Sequence, residues 1–339
     1  MRLLILGGTE FVGRAVVEAA LGREWEVTVF HRGRHEAPDG VRVLHGDRLA
    51  EDGLAALAEG EWDAVVDTWS GAPRAVRDSA RLLRDRVGHY VYVSSRSVYE
   101  WAPPAGYAED AAVVTGASPD AEQTAYAQDK RGGELAVLDA FGADRSALVR
   151  AGLILGPYEN VGRLPWWLNR MARGGAVLAP GPRDLPLQFV DGRDLAEWIL
   201  GAAEQGHSGP YNVTGASGHA TMGTLLDACA AVTGGRAELR WTDPEVILDA
   251  GIEPWVQLPV WVPPGSDMHD ALHNCDVSRA VATGLRCRPV EETVADTWNW
   301  LQGLGGSAPQ RDDRTAKGLD PEVEAKVLAS AGGVPGTTP

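Results

Sequence analysis

Tyr126 and Lys130 stand four residues apart, and their types and spacing suit proton transfer. Lys130 is the sole lysine before Lys317; Lys326 is the third, and every other cationic side chain besides histidine is an arginine. Arginine stays charged, whereas lysine is a compact point charge whose proton affinity responds to its surroundings. Read as helix, Tyr126-Ala-Gln-Asp-Lys130 places phenol and ammonium on one face. A neighbouring positive charge favours the phenolate of a tyrosine, whose ordinary pKa is about 10. Such a pair can exchange a proton with an alcohol or carbonyl. The alternative is a surface helix on which the two residues merely coincide, so the pair needs further motifs around it.

The elements that would position this pair follow a regular order. An apolar run over 1–6 predicts a buried parallel strand. It runs into Gly7-Gly8-Thr9-Glu10-Phe11-Val12-Gly13 and then into a helical pattern over 14–21, ended by Gly22. Strand, glycine turn and helix is the context of a dinucleotide fingerprint. Gly7 permits the tight turn, Gly13 lets helix and strand pack closely, and the helix N–H groups face a pyrophosphate. Residues 26–30, 41–45, 62–67, 90–94 and 146–150 read as further strands, with helices over 74–87 and 130–141. The expected fold is α/β: a doubly wound parallel sheet (Rossmann fold), with a smaller C-terminal substrate lobe assembled from separate segments. The ligand crevice lies at the carboxyl ends of the strands, which hold Gly7, His31, Asp47, Asp67 and Ser95.

Four motifs in sequence, Gly7-x5-Gly13, Tyr92-Val-Ser-Ser95-Arg-Ser-Val-Tyr99, Tyr126-x3-Lys130-x3-Glu134 and Arg150-x5-Gly156-Pro157, resemble those of the extended short-chain dehydrogenases/reductases, also called the NAD-dependent epimerase/dehydratase family. Gln188-Phe-Val-Asp191-x-Arg193-Asp-Leu-Ala196 and Tyr211-Asn-Val213 are similar to its later landmarks, and the likeness spans roughly residues 1–300. The resemblance implies an NAD(P)-dependent enzyme with Ser95, Tyr126 and Lys130 as catalytic residues. Ser95 would bond the reacting oxygen, Tyr126 transfer the proton and Lys130 hold the nicotinamide ribose. Elementary chemistry agrees for Ser95, because a neutral hydroxyl orients an alcohol or carbonyl without competing for its proton. A serine capping a turn is the competing reading.

Departures from the family pattern narrow the expectation. Glu10 stands where the fingerprint usually has a middle glycine, which resembles an atypical branch with a Gly-Gly-Thr-x-Phe-x-Gly signature. That branch includes reductases and RNA-binding proteins. Sugar dehydratases of the family place acids just after the catalytic Ser or Thr; Arg96 and Ser97 stand there, so dehydration is not expected. Nucleotide-sugar epimerases usually carry an asparagine near Leu153 and an arginine near Leu187, and leucines cannot bind phosphate. A small, partly apolar carbonyl or alcohol is the expected substrate. Trp166, Trp167, Trp198, Trp241, Trp255 and Trp261 are candidates for pocket walls, with core packing as the alternative for each.

The end of the second strand bears on the cofactor. NAD binding usually wants an acid there for the adenosine ribose. The chain has His31, Arg32, Gly33 and Arg34 instead, and guanidinium groups suit a 2′-phosphate. NADP is therefore expected ahead of NAD, the alternative being a solvated basic loop. Arg14 could assist. Asp47 and its neighbour Arg48 complete the expected cofactor contacts, Asp47 towards the adenine amino group. Trp69 stands where the family usually has a small residue.

A net charge of −16 repels phosphate backbones, so no nucleic acid is expected as a partner. The rival readings are a nucleotide-sugar epimerase with tightly held NAD, and a non-catalytic RNA-binding or redox-sensing relative. No apolar run approaches membrane-spanning length and nothing like a signal peptide precedes the first strand. Cys229, Cys275 and Cys287 read as reduced thiols, so a cytoplasmic location is expected. His269, His273 and Cys275 form the only metal-like grouping, and no metal is expected there. The dinucleotide domain is expected over 1–157 with 186–215 returning to it, and the substrate lobe over 158–185 and 216–302. Pro-rich 258–265 reads as a loop closing over substrate. Beyond it, 303–318 reads as a flexible linker, 320–330 as a short helix capped by Asp320, and 332–339 as disordered. The helix could serve a homodimer contact.

Overall fold

The structure, a computed structural model, describes residues 1–121, 124–311 and 314–331; the 332–339 end lies outside the described residues. The chain divides into two compact units.

The first unit comprises Met1–Ile154, Val190–Gly215 and Cys275–Cys287. Its strands are β1 (Arg2–Leu6), β2 (Glu26–His31), β3 (Arg42–His45), β4 (Trp62–Asp67), β5 (Val87–Ser95), β6 (Ser146–Ala151) and β7 (Gly209–Val213). They form one sheet in the order β7-β6-β5-β4-β1-β2-β3, parallel throughout. Leu3, Leu4, Ile5 and Leu6 are all buried because both faces of β1 are covered. Alternation sends Leu3 and Ile5 to the face packed by α1 (Phe11–Gly22) and α4 (Gly192–Gln205). Leu4 and Leu6 face Val76, Leu83, Val137 and Phe141 of α2 (Arg74–Leu83) and α3 (Tyr126–Phe141). Each such side chain contributes about 1.5–3 kcal/mol by leaving water. Strand order reverses between β1 and β4, which opens a crevice at their carboxyl ends.

Among the boundaries that differ from the sequence reading, two concern α2 and α3. The 74–87 helix stops at Leu83, since Val87 pairs with Trp62 and begins β5 three residues early. The 130–141 helix starts at Tyr126, so Tyr126, Lys130 and Glu134 share one helix face.

The second unit comprises Leu155–Phe189, Ala216–Asn274 and the chain from Arg288 onward. Helices Arg163–Arg173, Met222–Val232 and Val290–Gly303 pack together, and strand Gly175–Pro180 pairs with Ala237–Thr242 in parallel. Three expectations are corrected here. Segment Cys275–Cys287 belongs to the first unit. The 258–265 stretch is core rather than a mobile cover: Leu258, Val260, Trp261 and Val262 are fully buried, and the Trp261 indole donates to the Gly181 carbonyl at 3.0 Å. The described part of 303–318 is held against its unit, with the Arg311 amide donating to Asn160 and the Gly318 amide to Val256. Helix Pro321–Ala331 docks through buried Leu319, Val327 and the Arg170–Glu324 ion pair at 2.7 Å.

Candidate active site

The glycine turn after β1 has the conformation its residues permit. Gly7 and Gly8 lie at φ +119° and +94°, a region costly for other residues. A Cβ on Gly13 would lie 2.7 Å from the Gly8 nitrogen, so α1 reaches its strand only with glycine there. Glu10 makes no side-chain cap on α1, and no acid follows in the first turn. Thr9, Phe11 and Val12 lie partly exposed beside these amide donors, which suit an anionic pyrophosphate. Arg14 pairs with Glu18 at 2.9 Å. These residues fit a dinucleotide.

Contacts run from this turn to Lys130. Thr68 lies against Gly7, and its hydroxyl donates to the Leu6 carbonyl at 3.1 Å. The next residue is Trp69, whose carbonyl accepts from Lys130 Nζ at 2.5 Å; the Val93 carbonyl accepts from the same nitrogen at 2.6 Å. Lys130 is 3% exposed and its ammonium lies 5.0 Å from the Tyr92 ring centre. It thus joins the ends of β4 and β5, two residues before Ser95. Ser95 closes β5, half-buried; its hydroxyl accepts from the Ser97 amide and lies 3.1 Å from the Ser97 hydroxyl. It therefore caps the turn that follows, the alternative weighed for it, and still faces the carboxyl edge of the sheet. Tyr126 opens α3 on the same edge, partly exposed. Burial first, then Asp67 and Tyr126, push the Tyr92 phenol well above its ordinary pKa.

At the end of β2, the His31 ring packs 4.9 Å from His45 and its Nδ1 accepts from the Gly33 amide. Burial, then the neighbouring histidines, lower the His31 pKa. Arg32 and Arg34 are exposed. Asp47 accepts from the Leu49 amide at 3.1 Å and stays partly exposed. Arg48 departs from expectation. Its guanidinium is buried, bidentate to Asp67 at 2.6 and 2.7 Å, and donates to Ser79 and the Ala75 carbonyl. That set commits its guanidinium to bonds within the protein.

Burial works to raise the Asp67 pKa, but Arg48 and the hydrogen bonds from Tyr90 and Trp69 outweigh it and hold it below the ordinary carboxylate value. The Trp69 indole lies 5.2 Å from the Arg48 guanidinium and donates to Ala72, which accounts for a large residue there. Sequence reasoning placed Asp67 at a strand end but missed this network. The available signal was an acid closing an apolar strand, since a buried carboxylate requires a cation.

A second buried network also went unforeseen. Glu134, fully buried on α3, accepts from Ser94 at 2.7 Å, Arg150 at 3.0 and 3.2 Å, and Arg131 at 2.8 Å. Arg150 continues to the Tyr99 hydroxyl at 3.0 Å, which donates to Asn212 at 2.7 Å. Burial opposes the Arg150 charge, but Glu134 and Tyr99 hold its pKa above the ordinary guanidinium value.

The expected aromatic walls divide in two. Trp167, Trp198 and Trp261 are core; Trp166, Trp241 and Trp255 are half-buried, the last two beneath Arg183 and Arg163. Among the described residues, no group of three His, Cys, Asp or Glu could hold a metal. Both His273 nitrogens engage backbone: Nδ1 accepts from Gln188 at 3.0 Å and Nε2 lies 3.1 Å from the Val260 carbonyl. Cys275 belongs to the first unit, where it accepts from buried Arg96 at 2.9 Å. Among the described residues, no helix is long and apolar enough to cross a membrane.

Comparison with known proteins agrees with this architecture. Residues 3–214 match the NAD dependent epimerase/dehydratase family. Among solved structures, the chain is similar to the enzyme WbmH of Bordetella bronchiseptica in complex with NAD+, at 18% identity and TM-score 0.64, covering 90% of this chain and 99% of that one. It is similar to the UDP-glucose 4-epimerase of Thermus thermophilus in complex with NAD, at 21% identity and TM-score 0.60, covering 89% and 99%. WbmG of Bordetella bronchiseptica, in complex with NAD and UDP, gives 18% and 0.64, covering 93% and 99%. No curated protein matches the chain by sequence.

Proposed function

The chain belongs to the NAD dependent epimerase/dehydratase family, and within it we propose an NADP-dependent reductase or dehydrogenase of a small, partly apolar carbonyl or alcohol. The observation that carries this reading is the Lys130 ammonium, buried where β4 and β5 end and linked to the glycine turn through Trp69 and its neighbour Thr68. The α1 amides and Gly7–Gly13 would hold the pyrophosphate, and Lys130 the nicotinamide ribose. When bound, the nicotinamide donates or accepts hydride. Ser95 would orient the substrate oxygen, and Tyr126 would give or take its proton at the phenol oxygen. Arg32 and Arg34 support NADP, since both are exposed where an adenosine 2′-phosphate would lie and neither enters a hydrogen bond or ion pair among the described residues. Arg96 and Ser97, not acids, directly follow Ser95, and Arg96 is buried against Tyr107 and Cys275, which supports the exclusion of dehydration.

A second reading, epimerisation of a nucleotide sugar with retained NAD, draws on the NAD and UDP bound in the similar structures. Leu153 and Leu187, both buried, speak against it. Thermal unfolding with NADPH and NADH separates the two. A ligand at 100 times its Kd stabilises the folded state by about 2.7 kcal/mol. NADPH should raise the midpoint more than NADH, and the double variant Arg32→Ala, Arg34→Ala should abolish that preference. A larger shift with NADH, or purification with bound NAD, would favour the epimerase.

A further inference from the structure

The carboxylate of Glu134 bonds within the protein just below the ends of β5 and β6, and it is the most heavily bonded acid on the helix that bears Tyr126 and Lys130. Three facts define its place. It lies one turn after Lys130 on the same helix face, so Tyr126, Lys130 and Glu134 form a single row. Lys130 and Glu134 bond to consecutive residues of β5, Lys130 to the Val93 carbonyl and Glu134 to the Ser94 hydroxyl, and Ser95 comes next. Glu134 also ties α3 to β6 through two hydrogen bonds from Arg150, itself anchored through Tyr99 to Asn212 on β7.

The helix is also set close to the strand. A Cβ on Gly133 would lie 2.6 Å from the Tyr92 ring, so a side chain there would push α3 away. Close packing alone leaves a helix able to slide or rotate along its strand. Directional bonds to three successive strand ends remove that freedom, and charge-assisted ones are the strongest available.

We infer that Glu134 is a positioning residue: by clamping α3 to Ser94 and Arg150 it fixes where Lys130 and Tyr126 meet the nicotinamide half of the cofactor. This rests on the proposed NADP-dependent function. The adenosine half, held by the glycine turn and the end of β2, is independent of Glu134. A loss of the clamp therefore weakens contacts to one half of the dinucleotide and spares the other.

The experiment is equilibrium binding of NADPH and of 2′,5′-ADP, which lacks the nicotinamide half, to wild type, Glu134→Gln and Ser94→Ala. Glu134→Gln keeps the size of the side chain but sets an amide donor against two guanidinium groups. Ser94→Ala removes a single bond and serves if the first variant does not fold. The expected result is about tenfold weaker NADPH binding in Glu134→Gln, the equivalent of one charge-assisted hydrogen bond, and a smaller loss in Ser94→Ala. Affinity for 2′,5′-ADP should stay within about twofold in both. Bound NADPH fluorescence should fall along with its affinity. Parallel weakening of the two ligands, or unchanged NADPH binding in a folded variant, overturns the inference. Failure of the wild type to bind NADPH instead refutes the function on which it rests.

Discussion

The two units of this chain use their costly residues differently. The first buries charge: Arg48 with Asp67, and Glu134 with Arg150, both near the ends of β4 and β5 where Lys130 bonds and Ser95 lies. The second buries aromatic and proline-rich sequence, with Trp167 and Trp261 fully enclosed and their indole N–H groups satisfied by the Pro259 and Gly181 carbonyls. A buried ion pair contributes little net stability but fixes geometry, whereas a buried indole contributes area and tolerates imprecision. The comparison teaches where exact placement matters in this molecule. It matters along α3 and the ends of β4 and β5.

One buried pair in the second unit tests the limits of that contrast. Glu324 of the C-terminal helix accepts from Arg170 and from the Leu178 amide. Glu324→Ala leaves a buried guanidinium without its carboxylate and should cost about 3–5 kcal/mol in denaturant unfolding. Dinucleotide affinity of the folded variant should not change. Weakened cofactor binding at full stability would show that the second unit, too, uses buried charge for placement.

The smallest effect concerns pH. His89 in β5 is buried, and burial lowers its pKa; His207 nearby acts in both directions and Arg145 adds to the lowering. A depressed pKa means the folded state prefers the neutral ring. The associated stability is present above the unfolded value of about 6.5 and is lost as pH falls through the folded one. The unfolding midpoint should therefore drop on the acid side more steeply in wild type than in His89→Gln. Equal slopes would remove His89 from the account.

The sheet was legible because its signals are local. A buried parallel strand reads as an apolar run, and Gly7, Gly8 and Gly13 announce the turn that needs them. Tyr126 and Lys130 were found through their spacing on one helix face. Pairings between distant residues left no such trace: Arg48 was read as a cofactor contact because nothing local reveals that Asp67, nineteen residues on, claims it. Likewise 258–265 looked like a loop because proline breaks regular structure. Whether such a segment covers a site or fills a core depends on Trp167 and His273, which the local pattern cannot supply. The 303–318 stretch misled in the same way, since Gly, Ser and charge do not reveal that Arg311 and Gly318 bond to Asn160 and Val256.

The central claim is that the Tyr126 hydroxyl carries the proton beside the bound cofactor. The most direct test is steady-state reduction of the best carbonyl substrate by NADPH in wild type and Tyr126→Phe. Turnover should fall by about 10²–10⁴-fold, with the NADPH Kd within about twofold of wild type. Turnover retained within a few-fold would contradict the account.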